Sequence, residues 1–116
     1  MKQSWTLPIR LQSPNIQKHW TARHKETKQQ QRAVRLICKE LPKFQLPCEI
    51  TIIRYGKRNM DHDNFIYSCK YIRDCCSDML RPGLAPGQAD GTDLITWRYE
   101  QRLYPKYQVE IIAEEK

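Results

Sequence analysis

The run from Phe65 to Met79 constrains the fold more than any other stretch of the sequence. Phe65, Cys69, Ile72, Cys76 and Met79 recur at alternating intervals of four and three, which places them on one face of an amphipathic helix. The limits of that helix are also legible. Asp61 or Asp63 can cap its N-terminus, and Arg81-Pro82-Gly83 stops it. A helix with a single apolar stripe must bury that stripe against a neighbouring layer, so the rest of the chain has to supply one.

The remaining elements follow from periodicity and breakers. Thr6 to Leu11 alternates, with Leu7, Ile9 and Leu11 on one face, and reads as a strand. Pro8 removes a ladder donor, so this strand is expected at an edge or with Pro8 at an unpaired position. Ser13-Pro14-Asn15 is a turn. From about Glu26 to Glu40 the chain lacks Gly and Pro, and Val34, Ile37 and Leu41 make one apolar stripe; Pro42 ends this helix. Glu49 to Tyr55 is rich in β-branched residues and reads as a central strand. Residues 81–93 hold three of the four glycines, two prolines and two aspartates, so they form a loop. Leu94 to Arg102 and Tyr107 to Ile111 alternate on either side of a turn, and are expected to form a hairpin. The expected fold is therefore α/β (α+β): one small domain over 1–116, in the order β-α-β-α-β-β, with two helices packed on a mixed sheet.

Composition excludes several classes. A chain of 116 residues suits one core, and 40% apolar with 28% charged residues is globular. No apolar run approaches the roughly 18–20 residues of a membrane span, and the N-terminus lacks the apolar stretch of a secretory signal. No membrane partner is expected, and the cytoplasm is the expected compartment. The five cysteines, Cys38, Cys48, Cys69, Cys75 and Cys76, are odd in number and contain no C-x-x-C pair. They read as buried reduced thiols rather than as a disulfide framework or a zinc site.

Charge is unevenly placed. Residues 1–58 carry thirteen Lys or Arg against three Glu, whereas residues 59–116 carry seven against ten acids. The basic half is either a solvated surface or a polyanion-binding one. In the second reading Lys18, Arg23, Lys25, Lys28, Arg32, Arg35, Arg54, Lys57 and Arg58 are the candidate DNA-phosphate contacts. Trp20, beside His19, can stack on a base or sugar, or can close one end of a core.

The carboxylates offer chemistry. Asp61 and Asp63 lie two apart where an extended segment enters a helix, so they point the same way, next to the positive end of the helix dipole. Such a pair is either an N-cap with an Asx-turn or part of a hard-cation site for Mg²⁺ or Mn²⁺. In the second case a third carboxylate comes from Asp90 or Asp93 in the Gly-rich loop. Lys70 is seven residues after Asp63, two turns along, and can reach a scissile phosphate or steady the carboxylates.

Met60-Asp61-His62-Asp63-Asn64-Phe65, then Lys70, then Asp74, then Asp90-Gly91-Thr92-Asp93 in a Gly-rich loop, resembles the RusA-like family of Holliday junction resolvases, commonly bacterial or prophage-borne. The front of the chain is similar too: a short strand, a Ser-Pro-Asn turn and a basic helix, so the resemblance spans roughly residues 5–112. It implies a homodimeric, metal-dependent endonuclease that hydrolyses phosphodiester bonds in four-way DNA junctions by paired symmetric nicks, in recombination and repair. It implies Mg²⁺, with Mn²⁺ as a substitute, on Asp61, Asp63 and Asp90, with Asp93 the other candidate, and Lys70 as the catalytic lysine. In the best-known member of the family the lysine stands four residues after the second aspartate, where this chain has Tyr67; Lys70 lies about one turn further on, which resembles a phage-type variant of the motif, and the loop spanning 81–90 is longer than usual. Two alternatives from other classes remain open, a non-catalytic nucleic-acid-binding phage protein and a nuclease for flaps or forks.

Overall fold

The computed structural model describes residues 1–11, 20–81 and 94–116, with side chains from Lys25 onward in the second stretch. Its elements are β1 (Lys2–Leu7), α1 (Trp20–Ile37), a short 3₁₀ turn (Leu41–Lys43), β2 (Cys48–Gly56), α2 (His62–Ser68), α3 (Lys70–Leu80), β3 (Ile95–Leu103) and β4 (Gln108–Glu115). This is an α+β fold with one mixed four-stranded sheet in the order β1-β4-β2-β3. β2 runs parallel to β3 and antiparallel to β4, and β1 is antiparallel to β4. Among the described residues no helix is long and apolar enough to cross a membrane.

The sheet corrects the hairpin expected at the C-terminus. β3 and β4 are consecutive but do not pair, because β2 lies between them. Alternation along a strand fixes which face a side chain takes, not which strand lies beside it. β2 takes the centre with Cys48, Ile50 and Ile52 buried on one side, and on the other side Ile53 is buried between the polar residues Thr51 and Tyr55. The chain leaving β3 then passes over the end of β2, where the Tyr104 N–H donates to the Gly56 carbonyl at 2.8 Å.

Three further boundaries differ from expectation. α1 runs over Trp20–Ile37 rather than from about Glu26 to Glu40, and Leu41 falls in the 3₁₀ turn. β1 ends at Leu7 rather than continuing to Leu11. Pro8 sits just past its end, and the Ile9 N–H turns back onto the Leu7 carbonyl at 2.9 Å. The strand is at the sheet edge, and Pro8, past its end, leaves the ladder with no missing donor. The single helix expected after Asp61 is two, α2 and α3, so the sheet carries three helices rather than two. The break falls at Cys69, just after the Ser68 hydroxyl donates back to the Phe65 carbonyl at 2.6 Å, a local bond that competes with the helical ladder.

The apolar stripe itself survives the break. Phe65, Cys69, Ile72 and Cys76 are buried, with Met79 packed against them. They meet Val34, Cys38 and Leu41 from the α1 side and Ile50, Ile52, Ile111 and Val109 from the sheet. The helices cover only this face of the sheet. The other face is polar and largely self-paired: Lys2 with Glu114 at 3.9 Å, Arg102 with Glu100 at 3.0 Å, Arg98 with Glu49, and the Tyr55 hydroxyl donating to Glu110 at 2.7 Å. The acidic excess of the second half is thus partly spread over an ion-paired sheet face instead of being gathered at one site.

Burial also decides the state of the thiols. All five cysteines are buried and unbridged. Burial, with Cys75 nearby, pushes the Cys38 thiol up to about 12. Burial pushes Cys69 up to about 12 and Cys76 well above its usual value. A protonated thiol is neither a nucleophile nor a metal ligand, so these side chains are small apolar fillers.

Candidate metal and nucleic-acid site

The inward-facing row of β2 reads Cys48, Ile50, Ile52 and then Arg54. The inward-facing row of β3 reads Ile95, Trp97, Tyr99 and then Gln101. Arg54 and Gln101 are register partners. Two polar residues thus interrupt two apolar rows at one rung, near the carboxyl ends of two parallel strands, where open α/β sheets commonly place their sites.

Both are used to hold the segment that leads to Asp61. Arg54 Nη1 donates to the Arg58 carbonyl at 2.8 Å. Gln101 Oε1 accepts the Met60 N–H at 2.8 Å, and Gln101 Nε2 donates to the Met60 carbonyl at 3.0 Å. Residues 57–61 belong to no helix or strand, so their backbone groups must find such side-chain partners. The Phe65 N–H then bonds the Asp61 carbonyl at 2.9 Å and starts α2. Phe65 meets the Tyr99 ring edge-to-face at 6.2 Å, which seats α2 on β3.

Asp61 occupies the N-cap position of α2 and Asp63 lies in its first turn. Asp61 makes no side-chain capping bond. Both carboxylates are exposed, and neither has an ion-pair or hydrogen-bond partner among the described residues. Lys70, also exposed, is the first residue of α3. The break at Cys69 therefore interrupts the two helical turns expected between Asp63 and Lys70.

Compared with known proteins, the chain matches no family model and no curated protein.

The basic residues divide. Lys25, Lys28, Arg32 and Arg35 are exposed along α1, which packs against α3, and Lys57 and Arg58 are exposed in the turn just before Asp61. Arg54 corrects the expectation for it. Only 5% of it is exposed, so it is part of the interior and is not on the surface with the others. Its guanidinium lies 5.9 Å from the Tyr107 ring, whose other cation neighbour, Arg10, is at 4.0 Å. Burial pulls the Arg54 guanidinium below its usual value; Tyr107 opposes this and Arg10 adds to it. Trp20 and Arg23 fall in the first two turns of α1. Lys18, His19, Asp90 and Asp93 lie outside the described residues.

The donor set suits a hard divalent cation. Two exposed carboxylates without partners among the described residues could supply oxygen ligands, and Mg²⁺ is typically held by one or two carboxylates with water and substrate phosphates completing its shell. Among the described residues no group of three His, Cys, Asp or Glu gathers around one point, so any third protein ligand comes from elsewhere. The sequence pointed to Asp61, Asp63 and Lys70 but not to Gln101, which the fold places against the Met60 backbone. The signal was present: a glutamine ends the inward row Ile95, Trp97, Tyr99 where an apolar residue would continue it.

Proposed function

We propose that this protein is a divalent-metal-dependent endonuclease for branched DNA, a resolvase of four-way junctions of the RusA-like kind that acts as a homodimer. The observation that carries the reading is the pair Asp61 and Asp63: two exposed carboxylates without partners among the described residues, on a braced backbone, in a chain of net charge +7. Carboxylates that serve as caps would be bonded to the first-turn N–H groups, and Asp61 is not.

The chain's own contributions can be assigned. Asp61 and Asp63 bind the metal, with Asp90 or Asp93 as third ligand. Held by these residues, Mg²⁺ would supply Lewis-acid chemistry, polarisation of a phosphoryl oxygen and a lowered pKa for a water. Lys70 places an ammonium near the phosphate, where it counters the charge that grows in the transition state. Lys57 and Arg58, directly before Asp61, hold the DNA backbone beside the carboxylates, and Lys25, Lys28, Arg32 and Arg35 extend the contact along α1. These contacts carry no base information, which suits recognition of a junction by shape. A two-fold dimer supplies paired sites for symmetric nicks.

The test is cleavage of a labelled four-way junction, a flap, a fork and a linear duplex, each with Mg²⁺ and with EDTA. Symmetric nicking of the junction in Mg²⁺ alone is the expected result. Binding in both conditions without cutting would instead make this a nucleic-acid-binding module, and preferential cutting of flaps or forks would change the substrate.

A further inference from the structure

We propose that Gln101 is the positioning residue of the Asp61–Asp63 site, a role that rests on reading those carboxylates as metal ligands. The side-chain amide of Gln101 holds both polar groups of Met60, accepting from its N–H at 2.8 Å and donating to its carbonyl at 3.0 Å. This two-point contact fixes the position of the Met60 backbone and the rotation of the peptides on either side of it. One residue later, the Asp61 carbonyl is taken by the Phe65 N–H at 2.9 Å. Asp61 is therefore clamped on both sides, by β3 before it and by the first turn of α2 after it.

Glutamine fits this task for a chemical reason. Its amide carries a donor and an acceptor at one end, whereas a carboxylate lacks the donor and an ammonium lacks the acceptor. Arg54 Nη1 lies 3.5 Å from the same Oε1, which sets the orientation of the amide, and its 2.8 Å bond to the Arg58 carbonyl ties down the residue two before Met60. The Met60 side chain packs against the core, so the segment is anchored at its backbone and its side chain. Metal ligands must be held within ~0.5 Å of their working geometry, and residues behind the ligands supply that precision. Neither Gln101 nor Arg54 needs to touch metal or DNA to do so.

The experiment compares wild-type protein with Gln101→Met, which keeps the length of the side chain and removes both hydrogen-bonding groups. Mn²⁺ binding is measured by calorimetry, junction binding in EDTA, and exchange of the Met60 amide by NMR. Gln101→Met should weaken Mn²⁺ by about tenfold or more. It should also speed Met60 exchange and leave junction affinity in EDTA unchanged, with cleavage recovering at high metal concentration. Faster exchange with wild-type Mn²⁺ affinity would make Gln101 a purely structural brace and overturn the proposal. Should Gln101→Met fail to fold, Gln101→Asn, one methylene too short to span both groups, carries the same expectation. If wild-type protein itself binds no Mn²⁺, the reading of Asp61 and Asp63 as ligands falls, and the positioning role with it.

Discussion

Arg54 and Gln101 stand opposite each other at one rung of the parallel β2–β3 ladder, and each reaches out of the sheet to hold the backbone that leads into Asp61. The space around Arg54 is tight. A Cβ on Gly56 would meet Arg54 Nη1 and Tyr107 Cε1, each at 3.0 Å. The Arg54 head is tied to the Arg58 carbonyl and cannot simply swing away. Gly56→Ala should therefore destabilise the protein by about 1–3 kcal/mol, the usual cost of overpacking. A urea melt checks this, and an unchanged midpoint would mean that the Arg54 brace is soft.

Asp61→Asn or Asp63→Asn should abolish cleavage while junction binding persists or tightens. Loss of a group behind a metal ligand already costs about 10–100-fold, and loss of a ligand costs more. Removing a negative charge also relieves repulsion of the phosphates. Near-normal cutting by either variant in a single-turnover assay would remove these residues from the metal site.

Lys70→Ala should slow single-turnover cleavage at saturating Mg²⁺ by about a hundredfold, with little loss of junction affinity, because its charge matters most as the phosphoryl oxygens gain charge. An unchanged rate would make Lys70 a solvated helix-start residue.

With Arg54 buried, six exposed cations remain among the described candidates: Lys25, Lys28, Arg32, Arg35, Lys57 and Arg58. If all six neutralise phosphates, the plot of log affinity against log salt should have a slope of roughly −5, measured in EDTA so that cutting does not interfere. A slope near −1 would mean that the basic half is merely solvated.

The thiols predict an alkaline limit. Burial pushes the Cys38 and Cys69 thiols up to about 12 in the folded chain, against 9.0 for an unburied thiol. A raised folded value means that the native state holds protons the unfolded state has lost. Their contribution to stability is complete below pH ~9 and falls as pH rises through the interval up to about 12, by up to about 1.4 kcal/mol per pH unit for each thiol. Urea melts between pH 8.5 and 10 should show the decline, and Cys69→Ala should make it shallower by removing the share of one thiol. At neutral pH a thiol reagent should leave all five cysteines unmodified until the protein unfolds.

The sequence by itself determined what depends on neighbours along the chain. The stripe Phe65, Cys69, Ile72, Cys76 is buried as its period demands, β2 is central as its β-branched content requires, and Val34 and Leu41 are buried while Lys28, Arg32 and Arg35 are exposed. Asp61 and Asp63 stand at the start of a helix, as read. What only the tertiary structure decided concerns partners distant in sequence. A period of two does not say that β2 separates β3 from β4. A basic residue between Ile53 and Tyr55 does not show that it turns inward and becomes a brace. Nor does a glutamine forty-one residues after Met60 reveal that it holds Met60. Local periodicity sets the face of each residue; the hydrogen-bond needs of an irregular segment are met by whatever the sheet brings beside it, and that depends on strand order.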